Sequence, residues 1–331
     1  MDKIDTTLFR KYNNGDEKQI VDLYNRCFVL TRPRMLDDWY WEFKNGLDGN
    51  AVIYVAELEG SIVGHFSGVP FKFKLGNNTL TAYYALDLMV SPECRRKGIA
   101  TSILKTSIGS GVLENSLSYG MANDIHLSLG TRKFNYLTLG FIPRFIKDNS
   151  GWFSFSRIKN VFNIYSKKRI KITSIDSFDE EANEFWAKVS KNYSAATVRD
   201  ADYLNWRYVS KPYNNYKKFL IRENGEIVGY FVLECKTVVG LIVEILIDCR
   251  KDVVNAALDF IGNFFKEKGI QQVVYYGLDE QLCPWLKSNR FVVSGNSELQ
   301  FVIKNTNYFE GFNIALDKKN WLLSYGDMES L

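Results

Sequence analysis

The stretch D-L-M-V-S-P-E-C-R-R-K-G-I-A-T, Asp87 to Thr101, changes character three times. A strand-like apolar run ends at Val90 and a turn begins at Pro92. Arg95-x-x-Gly98-x-Ala100 then leads into a helix with apolar positions Ile99, Ile103, Leu104 and Ile108. The first N–H groups of a helix have no acceptor within it and sit at the positive end of its dipole. Gly98 and Ala100 leave that backbone bare enough for a pyrophosphate to approach. Arg95, Arg96 and Lys97 raise the local potential, and Thr101 adds a hydroxyl donor. The pattern predicts an anion site. No G-K-[ST] follows four residues after a glycine and no G-x-G-x-x-G is present, so ATP and dinucleotides are poor candidates.

Outward from this stretch the first half predicts a strand at Leu8 to Tyr12, then a helix opened by Gly15-Asp16 that carries Ile20, Leu23 and Tyr24. A second helix covers Met35 to Lys44. Runs at Ala51 to Leu58 and Ser61 to Phe73 form a hairpin through Glu59-Gly60, and Asn77-Asn78 turns the chain into a strand from Ala82 to Val90. After the helix at Gly98 to Ile108 follow a strand at Leu117 to Met121, a helix at Leu129 to Leu137 and a strand from Phe141. Early hairpins followed by strands alternating with helices imply a mixed α/β sheet.

The fold is written twice. D-D-W-Y-W-E-F-K from Asp37 aligns without gaps to D-Y-L-N-W-R-Y-V from Asp202, placing Trp41 on Trp206 at an offset of 165. The same offset carries Gly60, Ile62, Val63, Gly64 and Phe66 onto Gly225, Ile227, Val228, Gly229 and Phe231. The expected organisation is a first domain at 1–150, a linker at 151–168, a second domain at 169–305 and a tail at 306–331 packed on the body.

Composition is that of an ordinary globular chain: 331 residues, 46% hydrophobic and 24% charged, with a formal charge of +4 spread along the sequence. That spread predicts no nucleic-acid partner. Five widely separated cysteines read as reduced thiols, and two histidines nearly exclude a histidine-rich metal site. The longest apolar run, Gly240 to Ile247, is interrupted by Glu244 and is too short for a membrane span. A cytoplasmic protein without a metal is expected; the oligomeric state stays open.

The Arg95-x-x-Gly98-x-Ala100 loop after Val90 and Pro92 resembles the acyl-CoA loop of the GNAT superfamily of N-acetyltransferases. Tyr136-Leu137-Thr138-Leu139-Gly140-Phe141 resembles that superfamily's Y-x-x-L-G-F, and Ile62 to Gly64 is similar to the turn between its second and third strands. Met121-Ala122-Asn123, the opening Asp16-Glu17-x-x-Ile20, and Trp39 with Trp41 resemble a tandem subgroup found among bacterial surface-polysaccharide genes. The resemblance implies a tandem acyl-CoA transferase fold and acetyl-CoA as co-substrate. The co-substrate would be held by Leu88, Met89, Val90, Arg95, Arg96, Lys97, Gly98, Ile99, Ala100, Thr101 and Asn123. It also implies direct attack by a small primary amine such as an amino sugar.

The resemblance assigns a backbone N–H near Met89 or Val90 to the oxyanion. It also makes Tyr136, on the helix, the group that protonates the leaving thiolate. Asp87 is a candidate base, placed by strand alternation on the face of Met89; His65 is the other. The acceptor region is expected at Phe28 to Trp41, with Arg32, Arg34, Trp39, Tyr40 and Trp41. The second half reads I-D-C-R-K-D-V-V-N-A at the corresponding place, without glycine, with Asp252 expected as helix cap and Leu286 where Tyr136 would stand. A degenerate second domain and one CoA per chain follow. A non-catalytic acyl-CoA sensor and a transferase of longer acyl or aminoacyl groups are the alternatives.

Overall fold

The computed structural model describes residues 6–28, 32–149, 170–304 and 311–328. The expected linker at 151–168 lies outside the described residues. The chain divides into two units, and each is an α/β body with a mixed sheet.

In the first unit the order is β1 (Leu8–Lys11), α1 (Glu17–Cys27), α2 (Leu36–Phe43), β2 (Val52–Leu58), β3 (Ser61–Leu75), β4 (Asn78–Val90), α3 (Ile99–Ile108), β5 (Ser118–Ala122) and α4 (Asp124–Lys133), followed by β6 (Tyr136–Asp148). The Glu59-Gly60 turn has φ of 51° and 77°, the type I′ conformation that matches strand twist. Alternation along β3 sends His65 toward Phe43 of α2, whereas Gly64 faces α3. A Cβ at Gly64 would lie 2.6 Å from Ile103, so glycine there lets α3 pack directly on the sheet. Ile99, Ile103 and Leu104 then bury themselves against Tyr54, Ala56 and Phe66.

The second unit follows with β7 (Ile170–Ile175), α5 (Glu181–Val189), β8 (Ala195–Thr197), α6 (Ala201–Tyr208), β9 (Lys217–Glu223), β10 (Glu226–Cys235), β11 (Val239–Ile247), α7 (Lys251–Glu267), β12 (Gln272–Leu278) and α8 (Cys283–Ser288), leading to β13 (Val292–Lys304), α9 (Phe312–Leu316), β14 (Leu323–Ser324) and α10 (Tyr325–Met328). Its hairpin repeats the type I′ turn at Asn224-Gly225, with φ of 52° and 97°. α7 packs Val253, Val254, Ala257, Leu258, Ile261 and Phe265 into the core beside β10 and β11.

The domain boundaries differ from the sequence expectation. The break falls at Gly140, not 150, and Phe141 onward belongs to the second unit. There β6 pairs antiparallel with β12, from Gln272↔Asp148 to Tyr276↔Arg144. Leu299–Leu316 belongs to the first unit. Its strand portion pairs with β5 from Gln300↔Ala122 to Ile303↔Tyr119. Each sheet therefore gains a strand from a segment whose destination depends on long-range pairing, which local periodicity does not encode. The expected tail is likewise divided, since its described residues from Asp317 to Met328 belong to the second unit. Among the described residues no helix is long and apolar enough to cross a membrane.

In the second unit β11 pairs in parallel with β12 only from Val239↔Gln272 to Ile242↔Tyr275. Beyond that point β14 pairs with β12 at Gly277↔Ser324 and Leu278↔Leu323. Ser324 Oγ also donates to Glu244 of β11 at 2.5 Å, so the C-terminal segment reaches both strands where they part. Arg199 bonds Glu244 at 3.3 Å and Asp327, and Tyr208 donates to Glu244 at 2.8 Å. A Cβ at Gly326 would meet the Tyr208 hydroxyl at 2.0 Å. Gly326→Ala is therefore expected to lower stability by about 2 kcal/mol or more through overpacking and loss of a buried hydrogen bond. Urea unfolding of the second unit, followed by tryptophan fluorescence, measures it; an unchanged midpoint would show that the segment is not seated there.

Candidate acyl-transfer site

One irregularity in β4 creates the site. The β3–β4 ladder pairs Ser67 with Leu86 and then His65 with Met89, leaving Asp87 and Leu88 together opposite Phe66. Asp87 takes a φ of 53°, left-handed and costly for a residue with a Cβ. Such a bulge bends its strand and increases its twist. The parallel pairing of β4 with β5 stops at Ala85↔Gly120, where the bulge begins. From Leu86 to Val90, β4 thus turns an unpaired edge toward an opening beside Met121 and Ala122. The bulge also corrects the expected facing of Asp87, because alternation does not carry through it.

The ladder identifies a free donor on that edge. The Ser91 N–H donates to Val63 at 2.8 Å, so the alternation of antiparallel bonds makes Met89↔His65 the next bonded pair. Val90 then directs its N–H and carbonyl away from β3, into the opening. Its carbonyl is taken by Arg95 Nε at 3.1 Å and Cys27 Sγ at 3.5 Å. Of the expected donors, Met89 is thus bonded to β3, and the Val90 N–H faces the opening.

At the outer end of the opening Pro92–Cys94 forms one 3₁₀ turn, and Arg96 (φ 62°) and Gly98 (φ 78°) reverse the chain into α3. The first intrahelical bond runs from the Ser102 N–H to the Gly98 carbonyl at 3.0 Å, so the N–H groups of Ile99, Ala100 and Thr101 have no acceptor in the helix. Ile99 is buried and anchors the turn, while Ala100 and Thr101 are half-exposed. The three cations differ. Lys97 Nζ donates back to the Glu93 carbonyl at 2.9 Å, Arg95 braces Val90, and Arg96 is exposed.

Tyr136 does not lie on a helix. α4 ends at Lys133, and Asn135 (φ 56°) turns the chain so that Tyr136 opens β6. The expected helix is Leu129 to Leu137, but Asn123 caps α4 with its Oδ1 on the His126 N–H at 2.8 Å and sets an earlier start. That role occupies the Asn123 side chain. The Tyr136 ring fits where Gly130 has no side chain, since a Cβ there would lie 2.3 Å from it. It lines a small cavity with Tyr83, Ala85 and Ser118, beside the paired stretch of β4 and β5, and packs on Ala122 at the end of β5. Burial pushes its phenol pKa up, so it remains protonated at neutral pH.

Asp87 is held from two sides. Its Oδ2 accepts from Arg34 at 2.5 Å, and its backbone carbonyl lies 2.9 Å from His65 Nδ1. Arg34 is fully buried, bonds Glu42 at 2.9 Å and stacks over Tyr24 at 3.7 Å. Trp39 and Trp41 are buried core residues, and Arg32 clamps Asp38 at 2.7 and 2.9 Å; of the expected acceptor residues Tyr40 is the exposed ring. Arg34, expected as an acceptor contact, is by its partners the anchor of the bulge.

The second unit keeps the anchor and lacks the rest. Arg199 stands at the same offset of 165 from Arg34. Ile247 pairs with Gly229 as Val90 pairs with Gly64, which aligns Glu244 with Asp87. The loop before α7 is only Asp248–Arg250, and Asp252 lies in the first turn of α7 with Arg250 in the cap position, correcting its expected role as cap. The left-handed residues Asn135 and Arg290, each just past the end of its helix, and Gly140 and Gly295 share one offset of 155, so Tyr136 corresponds to Phe291, not Leu286. Neither carries a phenol. Among the described residues no cluster of three His, Cys, Asp or Glu is placed for a metal ion.

Residues 9–135 match the acetyltransferase (GNAT) domain family. An uncharacterized N-acetyltransferase of Methanocaldococcus jannaschii is 28% identical over 137 residues, 41% of this chain and 75% of that protein. Among solved structures, a probable N-acyltransferase of unknown function from Enterococcus faecalis superposes with a TM-score of 0.71 at 13% identity, covering 93% of this chain and 74% of that one. A GCN5-related N-acetyltransferase from Anabaena variabilis gives 0.67 at 13%, covering 90% and 72%. Saccharomyces cerevisiae N-myristoyltransferase with bound myristoyl-CoA gives 0.58 at 8%, covering 91% and 79%. The fold is GNAT-like over most of the chain, and the match at residues 9–135 marks the chain as an enzyme.

The chain's two histidines, His65 and His126, both lie in this unit. Burial lowers the pKa of both, His126 to about 4, and leaves each Nε2 without a partner. Folding therefore disfavours their protonation, and the stability this gives is present above the unfolded value near 6.5 and is lost as pH falls toward the folded values. NMR of ¹⁵N-histidine-labelled protein should show both rings neutral at pH 6, with unfolding free energy decreasing between pH 7 and 5. A ring titrating near 6.5 in the folded state would contradict this.

Proposed function

We propose that the first unit binds an acyl-CoA, most simply acetyl-CoA, and passes the acyl group to a small primary amine by direct attack. The observation that carries this reading is the β4–β5 opening, with free helix N–H groups before α3 on one side and Tyr136, packed on Ala122 at the end of β5, on the other. The pyrophosphate would sit on the N–H groups of Ile99, Ala100 and Thr101, with Arg95 and Arg96 adding positive potential. The pantetheine arm would lie along the unpaired edge of β4 and accept from the Val90 N–H. The acyl-CoA seen in the yeast structure and the acetyltransferase family match support this choice of co-substrate.

In the reaction the deprotonated amine attacks the thioester carbon. The C–N bond forms, the oxyanion draws on the backbone donors of β4, and the C–S bond breaks as Tyr136 gives its proton to the thiolate. The amine's own proton leaves to solvent. An amino sugar of surface-polysaccharide synthesis is the acceptor that the tandem-subgroup resemblance favours. Asp87 is not assigned as base, because its carboxylate is committed to Arg34 and the second unit retains the equivalent pair without the loop. That unit would then be a scaffold, giving one CoA per chain.

Gly98→Glu should weaken acetyl-CoA binding by about 100-fold or more, by placing a negative charge at the helix start. Gly98→Ala separates the cost of the left-handed backbone from the charge. Tyr136→Phe should lower kcat by about 100-fold while leaving acetyl-CoA affinity nearly unchanged. Calorimetric titration and CoA release over amino sugars, polyamines, amino acids and peptides measure both. Unchanged affinity in Gly98→Glu overturns the site. Tight binding with no amine-stimulated release would favour a sensor instead.

A further inference from the structure

We infer that His65 is a positioning residue: it grips the carbonyl of Asp87 and thereby aims the N–H of Leu88 at the thioester oxygen. The inference rests on the acyl-CoA reading above. A carbonyl only accepts, so the 2.9 Å contact requires the proton on His65 Nδ1. The Asp87 carbonyl and the Leu88 N–H belong to one planar trans peptide and point in opposite directions. Holding the carbonyl against β3 therefore turns the Leu88 N–H away from it, toward the opening that the Val90 N–H also faces. The two donors then line the same unpaired edge of β4.

The grip has work to do because the bulge is strained. A left-handed Asp costs about 1 kcal/mol or more and persists only where its surroundings enforce it. Two contacts enforce it: Arg34 on the carboxylate and His65 on the carbonyl. The His65 side chain is fully buried, with its ring edge-on to Phe43, so it has one orientation to offer. Burial keeps the ring neutral and Nε2 has no partner, which leaves Nδ1 as its one polar contact.

The second unit supplies the comparison. At the offset of 165 the position of His65 is held by Tyr230, whose buried hydroxyl has no partner. Glu244, the counterpart of Asp87, is not among the residues with positive φ. The arginine–carboxylate pair occurs in both units, whereas the histidine and the left-handed acid occur in the unit that carries the phosphate loop. The pair is thus sufficient for the fold, and the histidine is the added element.

Two variants separate positioning from proton transfer. His65→Asn places an amide N–H where Nδ1–H stands and removes the Nε2 lone pair; His65→Leu removes both. His65→Asn is expected to keep kcat within about 3-fold of wild type. His65→Leu should lose about 10- to 100-fold in kcat with KM for acetyl-CoA nearly unchanged, as expected when an oxyanion donor is mis-aimed. A kcat in His65→Asn as low as in His65→Leu would overturn the inference and make the lone pair a base. Full activity in His65→Leu would overturn it as well. If His65→Leu does not fold, the kcat of His65→Asn decides alone. Failure of the wild type to bind acetyl-CoA would instead overturn the reading on which the inference rests.

Discussion

The first unit depends on one fault in a ladder. By placing Asp87 and Leu88 against a single residue of β3, the chain bends β4 away from β5 and leaves polar backbone without a strand partner. Buried backbone of that kind must be satisfied by something. The unit spends a buried arginine, a buried histidine and a left-handed aspartate on keeping the gap, where ordinary pairing would close it. The glycine loop before α3 and Tyr136 both lie beside this gap.

Much of this was legible in the sequence. The Glu59-Gly60 and Asn224-Gly225 turns, the apolar spacing of α1 and α3, and Gly98 before its helix are local signals, and each element lies within a few residues of its expected place. The bulge was not legible, because strand alternation contains no mark for an extra residue. Asp87 therefore looked like a base, and Arg34 like a ligand contact. Their pairing spans 53 positions and becomes visible only when the strands are in register. The misplaced helix around Tyr136 has a smaller cause: Asn123 caps the helix at an earlier start.

The two units show which features belong to the architecture and which to the chemistry. Both have the I-V-G hairpin, the tryptophan helix and the buried arginine–carboxylate pair. The glycine loop and the tyrosine occur once. In the second unit the gap between β11 and β12 exists as well, but β14 and the side chains of Ser324 and Asp327 satisfy it from within the chain. The same parting of strands is thus left open in the first unit and seats the protein's own C-terminal segment in the second.

The assignment of Leu299–Leu316 to the first unit bears on how the protein is made. The unit that begins at the N-terminus finds its last strand near the other end of the chain. While the ribosome is still translating residues 141–298, β5 presents an open edge of unpaired N–H and carbonyl groups. At about 5–20 residues per second, that interval lasts roughly 10–30 seconds. The nascent first unit must pass through it without pairing with a neighbouring chain. Vectorial folding from the N-terminus, the usual economy of two-domain proteins, is not open to this one.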